Sequence, residues 1–163
     1  MTPLIILDTD FLSAFLKIER LPLIQALYQV TTISIPPAVY QEVALTDLLP
    51  RLLGLAWIHV ASPASSQMQV LLRDETFRHL GRGEQEAIAL AQEHQEAILL
   101  TNDNRARSQA IRYGVPAVNI PAFLLACKMI GLLDAQEMAR VIVDLQEKDH
   151  YGFRHEVLQL LLS

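Results

Sequence analysis

The sequence holds a single cysteine, Cys127. A lone thiol makes no internal disulfide, and its setting, Leu124-Leu125-Ala126-Cys127, reads as a small buried side chain rather than a nucleophile. Zinc spacing is missing too: His59, His79, His94, His150 and His155 form no ligand pattern. No apolar run reaches the roughly 18 residues of a membrane span. The N-terminus has no basic stretch, and Asp8 and Asp10 interrupt its apolar run, so a signal peptide is not expected. There is no internal repeat, low-complexity segment or linker. A basic excess is also absent, the formal net charge being −5. That argues against a passive nucleic-acid binder. A nuclease stays compatible, because carboxylates that hold a divalent ion look acidic when counted without it. These absences together fit a cytoplasmic, reducing setting without membrane contact.

What is present is apolar. Hydrophobic residues make up 52% of the 163, and the mean hydropathy is +0.27. The length predicts one domain over 1–163, and the apolar surplus suggests a strongly buried sheet and an oligomer surface. Apolar or β-branched runs at Leu4–Leu7, Thr31–Ile35, Ala56–Val60, Ala97–Thr101 and Val115–Ile120 read as strands. Stretches with helical spacing lie between them, and Gly81-Arg82-Gly83 reads as a hinge-like turn before a helix from Glu84 to His94. The alternation predicts an α/β fold: a three-layer α/β/α arrangement around a five-stranded, mainly parallel sheet. From about 132 to 163 the strand signal ends, and helices are expected to pack on the domain as a C-terminal extension.

Carboxylates recur where such a sheet gathers its chemistry. Asp8 follows strand 1, Glu42 lies in the helix after strand 2, Glu84 and Glu86 begin the helix before strand 4, and Asp103 follows strand 4. Strand ends on one edge of an open α/β sheet share a crevice. Several carboxylates there repel one another unless a cation neutralises them, and hard oxygen ligands suit Mg²⁺ or Mn²⁺. Each acid has a plainer reading. Asp8 and Asp103 are good helix caps, Glu42 suits a solvated helix face, and acids at 84 and 86 suit the helix dipole. Glu84 and Glu86 stand two apart, so at most one faces the crevice squarely. Thr9 and Thr101 can serve a phosphate or a cap. Arg105, Arg107 and Arg112, with Arg73, Arg78 and Arg82, can follow a nucleic-acid backbone or lie on solvated faces.

Four segments in order carry a family resemblance. They are Ile6-Leu7-Asp8-Thr9-Asp10, Ile35-Pro36-Pro37-Ala38-Val39-Tyr40-Gln41-Glu42-Val43, Gly83-Glu84-Gln85-Glu86-Ala87-Ile88-Ala89-Leu90-Ala91 and Leu99-Leu100-Thr101-Asn102-Asp103. Over about residues 4 to 131 the chain resembles PIN-domain proteins, the VapC-like toxin ribonucleases among them. Its C-terminal part resembles a prokaryotic PIN subfamily of unassigned function. The resemblance implies a Mg²⁺- or Mn²⁺-dependent ribonuclease that hydrolyses RNA phosphodiester bonds. Asp8, Glu42, Glu86 and Asp103 match the family's metal-binding acids. Glu86 is the better match to the third by its Ala-Ile-Ala-Leu-Ala sequel, and Glu84 is the rival. Thr9, Thr101 and Arg105 are candidate substrate contacts on the residue reading above. RNA, an antitoxin protein and a second copy of the chain are the implied partners.

The sequence departs from the family at Asp10, where Asn or Ser is usual, and at Asn104, where some members carry another Asp. It also places a glutamate at the third acid, which reaches further and can hold a metal through water. Two other functions compete. A catalytically silent PIN-like interaction or dimerisation module would explain the apolar surplus but not the intact acids. A phospho-acceptor receiver domain would need an acid on a middle strand, and His59-Val60-Ala61-Ser62 supplies none.

Overall fold

The computed structural model describes residues 2–163. Its elements run β1 (Leu4–Leu7), α1 (Thr9–Lys17), α2 (Leu21–Tyr28), β2 (Ile33–Ile35), α3 (Pro37–Ala44), α4 (Leu49–Leu53), β3 (Ile58–Val60) and α5 (Ser65–Leu71). They continue with α6 (Glu75–Arg78), α7 (Arg82–Gln92), β4 (Ala97–Leu100), α8 (Asn104–Arg112), β5 (Ala117–Val118), α9 (Ile120–Met129), α10 (Ala135–Lys148) and α11 (His155–Leu162). The five strands form one sheet in the order β3-β2-β1-β4-β5, with every pairing parallel.

Strand β1 shows why the fold is layered. It is buried on both faces, which is what an uninterrupted apolar run requires. Ile5 and Leu7 point into one hydrophobic cluster and Ile6 into the other. The first cluster gathers residues of α1, α2, α3, α9 and α10. At its centre Phe11 and Phe15 stack at 5.0 Å between ring centroids, and Phe123 meets both edge-on. The second cluster packs Phe77, Leu80 and the alanine-rich α7 against Ile6 and Leu99. The C-terminal helices are integral to the first cluster: Met138, Val141, Ile142, Leu145 and Leu161 are all buried in it. Cys127 is buried there as well, and burial pushes its thiol up to about 12. No helix among the described residues is long and apolar enough to cross a membrane.

Three elements differ from the sequence expectation. Gly81-Arg82-Gly83 is no hinge: Gly81 is the N-cap and Arg82 and Gly83 are the first turn of α7. Helix α6 is extra, a single turn capped by Asp74, whose Oδ1 accepts from Thr76 N–H at 2.9 Å. Four residues are too few for apolar periodicity to reveal. Strand β5 is shorter than expected because Pro116 has no N–H to give and Asn119 already caps α9, accepting from Ala122 N–H at 2.9 Å.

Candidate functional site

The order β3-β2-β1-β4-β5 reverses direction at β1. In an open α/β sheet that is where a crevice opens beyond the strand ends. The β1–β4 register pairs Leu7 with Leu100, so the residues just past them, Asp8 and Thr101, meet side by side. Asp8 N–H donates to Leu100 O at 3.1 Å. Its side chain then turns onto α1, where Oδ1 accepts from Phe11 N–H at 2.9 Å. Oδ2 accepts from the Thr101 hydroxyl. Thr101 is fully buried, and its Oγ1 also accepts from Asp103 N–H at 3.1 Å. Asp103 in turn caps α8 through Ala106 N–H at 2.9 Å. The capping reading of Asp8 and Asp103 is therefore realised. Since each carboxylate oxygen has two lone pairs, capping leaves both acids able to accept more.

A small cavity of about 80 Å³ opens beside Asp8, lined by Asp8, Thr9, Asp10, Glu42, Gly81, Gly83 and Glu84. Glu42 arrives on α3 and Glu84 on the first turn of α7. Gly83 makes that approach possible. A Cβ on it would lie 3.0 Å from Glu42 Oε1, 3.1 Å from Val39 Cγ2 and 3.3 Å from Thr9 Oγ1. Glu84 also accepts from Gly81 N–H at 3.1 Å, fixing the helix start.

The electrostatics follow from the crowding. Burial pushes the Asp8 carboxyl up to about 7. Its hydrogen bonds from Thr101 and Phe11 oppose this, while Asp10 and Glu84 add to it. Glu84 is raised as well, first by burial. The Gly81 hydrogen bond and Arg105 lower it, and Asp103 and Asp10 raise it. Asp103 and Arg105 thus stand close enough to be felt, although neither lines the cavity.

Glu86, the expected third acid, is turned elsewhere. It is 8% exposed; Oε1 accepts from Ala38 N–H at 3.0 Å and Oε2 from Arg82 Nε at 2.8 Å. Helix α3 starts at Pro37 without a side-chain cap of its own, and Glu86 supplies an acceptor for its free amides across the helix interface. Glu84, the rival, is the acid that lines the cavity. Asp10, which the sequence reading left out of the site, lines it too; the signal was its place two residues after Asp8. Four of the six candidate arginines are engaged within the protein. Arg78 donates to Leu72 O, Arg107 to Asn104 Oδ1, Arg82 pairs with Glu86 and Arg112 with Asp74.

Does this chemistry fit a divalent cation? Every side-chain donor lining the cavity is a hard oxygen. Thr9 Oγ1 is buried beside Glu42 without a hydrogen-bond partner, one of two such atoms among the described residues. An orphaned buried oxygen between acids that repel each other is what a bound cation or its water would satisfy. Among the described residues no three acidic, histidine or cysteine side chains converge tightly enough for a closed ligand shell. The fit is therefore to a hydrated ion held partly through water, as Mg²⁺ commonly is. At roughly 30 Å³ per water, the cavity holds an ion with few waters.

The family model described as DUF3368: PIN domain matches residues 4–163 of this chain. No curated protein matches the sequence.

Proposed function

We propose that this chain, which belongs to the PIN-domain family, is a metal-dependent endoribonuclease whose centre is the cavity of Asp8, Asp10, Glu42 and Glu84. PIN domains are generally nucleases and typically use divalent metals. One observation carries the reading furthest: four carboxylates surround one cavity together with the unpartnered Thr9 hydroxyl. A structural role leaves that arrangement without a purpose, since each acid raises the cost of its neighbours.

A bound Mg²⁺ or Mn²⁺ supplies Lewis acidity and lowers the pKa of water. Asp8, Glu42 and Glu84 would hold it, with Asp10 and Asp103 at the rim. Asp8 is the fixed member, oriented by Phe11 N–H and the Thr101 hydroxyl. Thr9 Oγ1, buried without a partner, would hydrogen-bond the water or a phosphate oxygen. Arg105 lies near enough to Glu84 to lower its carboxyl, and its guanidinium would neutralise a phosphate. Hydrolysis forms a bond from a water oxygen to phosphorus and breaks the bond to the leaving ribose oxygen. The cluster's carboxylates receive the water's proton, and the leaving ribose oxygen takes up a proton from solvent to become a hydroxyl. Glu86 holds α3 in place and stays outside the reaction.

The alternative is a catalytically silent interaction module, favoured by one surface. Met129 and Ile130 are 78% and 64% exposed at the end of α9. Leu160 and Leu162 are exposed on α11, which Lys128 ties to α9 by donating to Leu160 O at 2.6 Å. That face suits a second copy of the chain, and a dimer is compatible with either reading. A toxin role adds an antitoxin that would cover the acid cavity. The deciding experiment is cleavage of a mixed single-stranded and structured RNA pool with Mn²⁺, Mg²⁺ or chelator, for wild type, Asp8→Asn and Glu84→Gln. The nuclease predicts metal-dependent cutting that both variants lose. No cutting, with no Mn²⁺ binding in calorimetry, would favour the silent module.

A further inference from the structure

We infer that the groove beside the acid cavity, between α6 and α8, binds the base of a nucleotide next to the cleaved phosphate and reads it through the Gln109 amide. The inference rests on the ribonuclease reading above. The groove has a volume of about 510 Å³ and is lined by Thr76, His79, Leu80, Arg105, Ser108 and Gln109, with Asn104 at its edge. Positions 105, 108 and 109 share one face of α8 by helical spacing.

Gln109 carries the argument. It is 7% exposed, and its Oε1 has no hydrogen-bond partner. The other such atom among the described residues, Thr9 Oγ1, belongs to the acid cavity. A buried acceptor left unpaired costs folding free energy, so a native one calls for an explanation. A ligand N–H entering the groove would supply the missing donor. Gln109 itself lines that groove.

Position makes the ligand a nucleotide of the substrate. Leu80 lines the groove and Gly81 the acid cavity, so the two are adjacent along the chain. Arg105 also lines the groove, and it lies close enough to Glu84 to lower its carboxyl. A strand whose phosphate sits at the acids would pass Arg105 and present its neighbouring base to His79, Ser108 and Gln109. An amide sets an acceptor beside a donor, which pairs with a donor–acceptor edge of an unstacked base, such as the amino group and N7 of adenine or N3 of cytosine with its amino group.

Binding can be measured without cleavage. The probe is a set of labelled single-stranded oligoribonucleotides of A, C, G or U. They are titrated into the full-length Asp8→Asn protein with Mn²⁺ and followed by fluorescence anisotropy. We expect one of the four oligomers to bind about fivefold or more tighter than the others, its base edge pairing with the amide. Gln109→Leu in that background should remove the preference without lowering Tm, because it removes the orphaned acceptor. Gln109→Glu, of the same shape, should weaken binding of the preferred oligomer by replacing the donor with an acceptor. Arg105→Ala should weaken all four oligomers alike. Equal binding of the four by the parent, or a preference surviving both Gln109 variants, would overturn the subsite and leave the ribonuclease standing. Binding of no RNA at all would remove both.

Discussion

At the scale of single residues, Asp8 meets two demands on one carboxylate. It caps α1 and carries an ionisable group in a buried place. The sign of its pH dependence follows. Its folded-state value of about 7 lies above the ordinary 3.8, so between the two the folded chain holds a proton that the unfolded chain has lost. In the metal-free protein the Asp8 contribution to stability is therefore fully present below about pH 4. That contribution should be lost as pH rises to about 7 and stay lost above it; Glu84 acts in the same direction. Thermal melts across that range test this, and Mn²⁺ at pH 8 should recover the loss. Asp8→Asn should raise the metal-free Tm at pH 8, by about 2–4 °C for each kcal/mol recovered, while ending RNA cleavage. Glu84 and Glu86 should separate in the same way. Glu84→Gln should end cleavage with little change in stability. Glu86→Ala, which removes a helix-capping acceptor and a partner of Arg82, should cost about 1–3 kcal/mol in urea unfolding.

At the scale of elements, the strands were legible because a parallel sheet buried on both faces writes itself as uninterrupted apolar runs. Three of the candidate acids, Asp8, Glu42 and Asp103, could be placed by the same logic, at a strand end or in a helix beside the shared edge. The choice between Glu84 and Glu86 was not legible. Two residues apart on a helix, they face different sides, and which side holds the crevice depends on where α3 lies. Helix α3 lies against α7 through two contacts that local sequence does not reveal: Glu86 on Ala38 N–H, and the bare Cα of Gly83 against Glu42, Val39 and Thr9. Gln109 was invisible for a related reason, since an unpaired amide shows itself only when its surroundings are known. Gly83→Ala tests the interlock. The added methyl must displace Glu42 and Val39, so we expect a loss of about 1–3 kcal/mol and a drop in cleavage larger than that loss explains. Urea unfolding and initial rates measured on one preparation separate the two effects.

At the scale of the molecule, the last two helices complete a core that the rest of the chain opens. Val141, Ile142 and Leu145 of α10 share the cluster of Phe11, Phe15 and Phe123. A chain ending at residue 131 would expose those rings and leave the face of α1 uncovered. Such a truncation should lose cooperative unfolding and near-ultraviolet circular dichroism and should aggregate. Phe123→Ala in the full chain should cost about 3–5 kcal/mol. The exposed apolar face of α9 and α11 makes a different prediction. Met129→Glu should lower the mass seen by light scattering if two copies meet there, and leave thermal stability of the monomer nearly unchanged.

The glycine contact between α7 and α3 has a consequence for the choice of ion. Where a helix backbone is pressed against the side chain that would coordinate, the gap between opposing oxygens is set by helix spacing rather than by the ligands' own reach. Such a gap behaves like a gauge of fixed width. Mg²⁺ and Mn²⁺ sit closer to their oxygens than Ca²⁺, which needs about 2.3–2.6 Å where Mg²⁺ needs about 2.0–2.1 Å. Ca²⁺ would have to part the two helices against the contacts of Gly83 and Glu86, and should support cleavage poorly even at concentrations that occupy the cavity.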